Sequence, residues 1–152
     1  MITLSHNESI LFRLLAGFFG EERVVPHMSL FAVCGGEVPT GLNVLMLAEI
    51  QREAKVAPQE WARQSKCLFT IVDNQDQPKL VMEFVADFSS IVDLRELTRR
   101  RYIEPFLEAA GVRYLTVSPG EFSEITDPGG NLDFFHFLQS KFEVEIDLKI
   151  PL

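Results

Sequence analysis

Glu83 is the residue whose setting most favours a chemical role, because it is a carboxylate inside the otherwise apolar run from Val81 to Val85. An unpaired charge in such a run is expensive to bury, so the side chain needs either a partner or a function. In one interpretation Glu83 pairs with Lys66 or with an arginine and only stabilises the fold. In the other interpretation it is a metal ligand or a catalytic acid, and both stay open at this point.

Glu83 belongs to a predicted β-hairpin, and the register of that hairpin decides which residues lie beside it. The strands Lys66–Asp73 and Pro78–Ala86 flank a polar turn, Asn74–Gln77. A turn of this length places Asp73 opposite Pro78. Further along the hairpin, the same register places Leu68 opposite Glu83 and Lys66 opposite Val85.

The hairpin is expected to present two different faces, because side chains along a strand alternate between the sides of a sheet. The face that carries the carboxylate comprises Lys66, Leu68, Thr70, Val81, Glu83, Val85 and Asp87. The other face is expected to be pure core and comprises Cys67, Phe69, Ile71, Leu80, Met82 and Phe84.

Hydrophobic periodicity predicts the elements that must hold this hairpin in place. The first helix has a capping-box pair, Ser5 and Glu8, followed by apolar residues at helical spacing, and it ends at Gly20. Three further helices are predicted at Leu42–Ala57, Asp93–Ala110 and Asn131–Phe142. Three further strands are predicted at Arg23–Val33, Val112–Val117 and Phe142–Ile150. This order is typical of an α/β domain whose mixed central sheet is flanked by helices.

Composition bounds the class of protein. A chain of 152 residues with 47% hydrophobic side chains predicts a single domain with a real core, spanning residues 1–152. The net charge of −8 disfavours a general polyanion binder. No signal peptide and no membrane-spanning run is recognised, and Cys34 and Cys67 are interpreted as reduced, buried thiols. A cytoplasmic location is the resulting expectation.

Three segments together resemble a known superfamily: the strand Leu68–Asp73, the strand Val81–Val85, and the helix end and strand over Leu107–Leu115, which begins Leu-Glu-Ala-Ala-Gly. The chain resembles the restriction-endonuclease-like, or PD-(D/E)XK, nucleases, and within them a small bacterial family of unknown function. The resemblance covers residues 5–119 and implies an α-β-β-β-α-β core. Residues 120–152 are then an acidic extension that adds a C-terminal helix and strand.

The resemblance also implies where an active site would lie. In active members, acidic residues from two strands hold a divalent metal ion that polarises the scissile phosphate. Leu68 stands at the position of the first acid, and Val85 stands at a position that is usually lysine or acidic. The remaining catalytic candidates are Glu83, also the candidate metal ligand, with Glu8 and Lys66 in support. A single carboxylate is a poor magnesium site, so no cofactor is expected, and Mg²⁺ enters only if the chain is an active nuclease.

Three functions follow from these residues. The leading one is a non-catalytic interaction or regulatory module that forms homo-oligomers or binds a protein partner through the strand Val144–Ile150. The first alternative is a metal-dependent DNA nuclease with a rearranged site. The second is a nucleic-acid-binding domain that uses the basic run Arg99, Arg100 and Arg101, although this run also suits a solvated helix face that pairs with Glu96 and Glu104.

Overall fold

The computed structural model describes residues 3–85, 94–127 and 133–142, and they form an α/β protein with a mixed four-stranded sheet, as the sequence predicts. The helices of these residues are α1 (His6–Phe19), α2 (Leu30–Val33), α3 (Val44–Ala54), α4 (Pro58–Gln64), α5 (Leu94–Ala109), α6 (Pro119–Thr126) and α7 (Phe134–Phe142). The strands are β1 (Val24–Ser29), β2 (Lys66–Val72), β3 (Pro78–Phe84) and β4 (Arg113–Val117). Asp87 and the predicted strand Val144–Ile150 lie outside the described residues.

The sheet has its strands in chain order, β1-β2-β3-β4. The first three strands pair antiparallel, whereas β4 pairs parallel to β3. A parallel pair requires a crossover connection, and α5 lies between the two strands in the chain to supply it. The helix α5 therefore forms the crossover from β3 to β4 and packs on one face of the sheet.

The hairpin register is confirmed over its central pairs and shifts near the turn. Phe69 pairs with Met82 and Thr70 with Val81, as predicted. Val72 pairs with Pro78 across a bulge, so the predicted pairing of Asp73 with Pro78 is wrong. The reason is local, since the Asp73 carboxylate accepts hydrogen bonds from backbone N–H groups inside the turn and closes the turn on itself.

The sheet separates two buried clusters, so helices cover both of its faces. On one side, α1 and α7 pack on the apolar side chains of the hairpin; this cluster includes Leu11, Leu15, Phe69, Ile71, Leu80, Met82 and Phe137. On the other side, α2 to α5 enclose a second cluster that includes Leu30, Ile50, Trp61, Val81, Ile103 and Phe106. Cys67 belongs to this second cluster, so its predicted place on the same face as Phe69 is wrong. Leu68 packs against the first cluster, so its predicted place on the same face as Glu83 is wrong as well.

Short helices account for most differences from the predicted elements. The predicted strand Arg23–Val33 ends at Ser29, whose hydroxyl accepts the Ala32 N–H at 3.1 Å and begins α2. Pro58 does not simply end α3: it occupies the first turn of α4, a position that proline favours. The helix α6 was not predicted, although Ser118 and Glu121 form the same capping box that marks α1.

The strand β4 lies at an edge of the sheet formed by the described residues. Arg113 is exposed, the next residues are half-buried, and Val117 is fully buried. The bounds of the helix α5 match the predicted range Asp93–Ala110 closely. The helix includes Pro105 and is followed by Gly111 in a left-handed conformation (φ 76°). None of the described helices is long and apolar enough to cross a lipid bilayer.

Candidate functional site

The Glu83 carboxylate is buried, with only 5% of the residue exposed, and both of its oxygens are engaged. Oε2 accepts the backbone N–H of Leu68 at 3.0 Å and forms an ion pair with Nη2 of Arg99. Oε1 accepts the hydroxyl of Tyr114 at 2.8 Å. The charge is therefore neutralised by a guanidinium and solvated by two further donors, as a buried carboxylate requires.

Four elements bring these groups together. The hairpin brings the backbone N–H of Leu68 to the carboxylate of Glu83. The parallel register of β3 and β4 pairs Val81 with Tyr114 on the same face of the sheet. The crossover helix α5 supplies Arg99. Its guanidinium also donates to the carbonyl oxygen of Lys66, at 3.2 Å from Nε and 2.7 Å from Nη2. Arg99 thus ties α5 to both strands of the hairpin.

Burial shapes the acid–base properties of the groups around this carboxylate. Burial raises the pKa of Tyr114, and the adjacent charge of Glu83 raises it further, so the phenol keeps its proton and remains a hydrogen-bond donor. Burial likewise raises the pKa of Cys67 to about 12, again with a contribution from Glu83. Both groups stay neutral at physiological pH and therefore add no further charge beside the ion pair.

Arg99 provides the positive charge at Glu83 that a metal ion would provide in a nuclease. The side chain of Leu68 offers no ligand atom, and only its backbone N–H reaches the carboxylate. Val85 continues the ladder to β4 through its N–H, which donates to the carbonyl of Val117 at 2.9 Å. In the described ranges, no group of three or more histidine, cysteine or acidic residues is placed to hold a metal ion.

The predicted catalytic candidates Glu8, Lys66 and Glu83 do line one pocket, which has a volume of about 510 Å³ and also includes Arg99. We call this the Glu83 pocket. Glu8 is half-buried, and its Oε1 accepts the Ser5 N–H at 2.8 Å in the capping box of α1. Lys66 is exposed at the start of β2. The structure thus gathers residues that lie far apart in the sequence, although one carboxylate serves a helix cap and another serves an ion pair.

Two of the three arginines in the predicted cluster bind carboxylates on other elements. Arg99 binds Glu83 on β3, and Arg101 binds Glu53 on α3, with 2.7 Å between Nη1 and Oε1. Glu104 makes no ion pair with any described residue, so the predicted pairing with it is wrong, and the side chain of Glu96 lies outside the described residues. The reason is that α5 packs beside α3 and the hairpin, which place the carboxylates of Glu53 and Glu83 within reach of its arginines.

Sequence reasoning did not identify Tyr114 or select Arg99 as partners of Glu83. Tyr114 did carry a signal, because a tyrosine in an apolar strand needs a hydrogen-bond partner for its hydroxyl. Arg99 carried none, since its reach to β3 depends on the path of the crossover.

Comparisons of the chain with protein-family models, with curated proteins and with solved structures find no match in any of the three. The resemblance to the nuclease superfamily stays a prediction from the short motifs around Glu83.

Proposed function

We propose that the chain is a non-catalytic interaction or regulatory module with a nuclease-like core. The observation that supports this proposal is the pairing of Glu83, both of whose carboxylate oxygens are engaged, by Arg99, Tyr114 and the backbone of Leu68. A catalytic carboxylate must be free to bind a metal ion or to exchange a proton. This one instead fastens α5 and β4 to the hairpin.

Electrostatics supports the proposal. A divalent cation at Glu83 would displace the guanidinium of Arg99, whose side chain is only 17% exposed. The displaced charge would then need new partners, and leaving it buried without them is strongly unfavourable. The position of the first acid, Leu68, would contribute no second carboxylate to offset that cost.

The order of elements supports the nuclease-like core. In chain order, α1, β1, β2, β3, α5 and β4 form the α-β-β-β-α-β series that the resemblance implies. The helices α2, α3 and α4 are then an insertion between β1 and β2. The mixed arrangement, with β4 parallel to β3, agrees with that core as well.

Metal binding and DNA cleavage test the proposal directly. The wild-type chain should show no heat of Mn²⁺ binding by calorimetry and should not cleave DNA with Mg²⁺ or Mn²⁺. Cleavage that is abolished in Glu83→Gln, but kept in the control Glu104→Gln, would overturn the proposal. Glu104 is a suitable control because it is exposed and lies away from the Glu83 pocket.

A metal-dependent nuclease is the second candidate, and one observation favours it. Glu8, Lys66 and Glu83, which come from three different elements, line the same pocket. In this reading Glu83 would hold the metal and Lys66 would stabilise the scissile phosphate, which requires Arg99 to move away first. The cleavage experiment decides between the two functions.

The proposed partner is a second copy of the chain or another protein, bound through the segment Val144–Ile150. Its apolar residues alternate with charged ones, which favours pairing at a sheet edge. Light scattering coupled to size exclusion should show an oligomer that Ile146→Asp dissociates and Glu145→Gln leaves intact. An unchanged mass in Ile146→Asp would remove this segment as the interface.

A further inference from the structure

The Glu83 pocket contains two polar side chains that nothing in the described chain engages. Lys66 makes no ion pair, and His27 makes no hydrogen bond, with any residue that the structure describes. The other charged side chains named above are all occupied, Glu8 by a helix cap and Glu83 and Arg99 by each other. Two unengaged donors in one pocket point to an acceptor that the chain itself does not supply.

His27 and Lys66 occupy neighbouring positions on adjacent strands. In the antiparallel register, Pro26 pairs with Phe69 and Met28 with Cys67, so His27 and Leu68 lie between these two pairs. Lys66 lies two residues from Leu68 on β2, so it is the diagonal neighbour of His27. In a regular ladder such neighbours lie about 7–8 Å apart, and here both residues line the same pocket.

The backbone of His27 is in an unusual conformation. Its φ is 57°, in the left-handed region, although it lies inside β1 and is not glycine. Such conformations are unfavourable for residues with a Cβ, and they are concentrated at binding and active sites. The strain thus falls on a residue that lines the pocket and whose imidazole makes no hydrogen bond with the described residues.

The remaining walls and the charges define the ligand chemistry. Trp61, Leu68 and Phe84 give the pocket apolar surface, and its volume of about 510 Å³ suits a small molecule. Lys66 can neutralise one negative charge. A second negative charge on the ligand would face the carboxylates of Glu8 and Glu83 without compensation.

We infer that the Glu83 pocket binds a small monocarboxylate with a flat apolar body. Its carboxylate bridges the Lys66 ammonium and the His27 imidazole, and its body lies against Trp61 and Phe84. The inference rests on the proposed function, because a module that does not cleave DNA leaves this pocket open to a regulatory ligand. The assigned ligand is thus a chemical class: one negative charge and one planar hydrophobic group.

Trp61 gives a direct assay, because it is the single tryptophan of the chain and it lines the pocket. Benzoate is the probe, benzamide is its neutral counterpart, and phenyl phosphate is a probe that can carry two negative charges. Benzoate should change the Trp61 emission in a saturable way, and benzamide should not. Lys66→Gln and His27→Gln should each weaken benzoate binding at least tenfold, whereas Lys79→Gln, on the far part of β3, should leave it unchanged.

The outcomes separate this inference from the proposed function. Benzoate binding that is equal in wild type and Lys66→Gln, or tighter binding of phenyl phosphate, overturns the assignment. Absence of benzoate binding, together with no Mn²⁺ heat, overturns the ligand but leaves the non-catalytic module standing. Mn²⁺-dependent cleavage by a chain that also binds benzoate overturns the module and leaves the ligand site. Thermal melting of each variant verifies that it is folded.

Discussion

Replacement of Arg99 by leucine should destabilise the chain severely. The change removes the guanidinium that neutralises Glu83, while Tyr114 and the Leu68 N–H remain as its neutral donors. The carboxylate would then stay buried as an uncompensated charge. Breaking a buried ion pair by removal of one partner typically costs about 3–5 kcal/mol.

The burial of the pair explains why its loss should cost more than the loss of a surface ion pair. The side chains of Arg99 and Glu83 are only 17% and 7% exposed, so water screens their attraction poorly. The variant also loses the two contacts of the guanidinium with the Lys66 carbonyl, at about 1 kcal/mol for a typical hydrogen bond. Against a typical domain stability of about 5–15 kcal/mol, the loss would be a large fraction of the total.

Urea denaturation, followed by circular dichroism, measures the free energy of unfolding. The double variant Glu83→Gln/Arg99→Leu should recover about 1–2 kcal/mol relative to Arg99→Leu, because the unpaired charge is then gone. Arg101→Leu is the matched control on the same helix. Its ion pair with Glu53 is more exposed, so its loss should be much smaller.

Two results would refute this reasoning. One is a loss in Arg99→Leu no larger than that in Arg101→Leu. The other is a double variant that is no more stable than Arg99→Leu alone. Either would mean that Glu83 is not held as a charge by Arg99 in the folded chain.

The other predictions concern neighbouring groups and the turn. Tyr114→Phe removes a hydrogen bond of 2.8 Å to the buried carboxylate and should cost about 1–3 kcal/mol in urea denaturation; a loss near zero would contradict that bond. Hydrogen bonds from the turn, led by the backbone N–H of Gln77, lower the pKa of Asp73 below its ordinary value of 3.8. The stabilising effect of the ionised Asp73 is therefore complete above pH 3.8 and is lost as pH falls through the lowered native pKa. The melting temperature of Asp73→Asn should accordingly fall less than that of the wild type as the pH is lowered through this range. Burial raises the pKa of Cys34 to about 11 and that of Cys67 to about 12, so both thiols should react slowly with Ellman's reagent at pH 8 and rapidly in urea. Fast labelling of the folded chain would contradict this.

Features set by neighbouring residues were predictable from the sequence. The capping box of α1, its end at Gly20 and the central hairpin pairs depend on local spacing, and the structure confirms them. The short helix α2 was missed because its apolar residues fit the end of the predicted strand Arg23–Val33 equally well. The bulge at Val72 was missed because it depends on how the Asp73 side chain closes the turn.

The candidate site was predictable only in part, because it joins distant elements. The structural interpretation from sequence paired Glu83 with Lys66 or with an arginine, and the structure shows that the partner is Arg99. Which arginine it is, and the presence of Tyr114, depend on the path of α5 and the parallel register of β4. The positive φ of His27 had no signal at all, since nothing in the residue type demands it.

The agreement of strand order with chain order has a consequence for the folding pathway. The pairs β1–β2 and β2–β3 are antiparallel neighbours, whereas β3–β4 pairing must wait until a loop that includes α5 has closed. The contacts of Glu83 with Arg99 and Tyr114 span that same closure, so we expect them to form after the transition state. Tyr114→Phe should then accelerate unfolding and leave the refolding rate almost unchanged, whereas substitutions inside the hairpin should slow refolding. The buried ion pair would in that case set the lifetime of the native state rather than the speed at which it is reached.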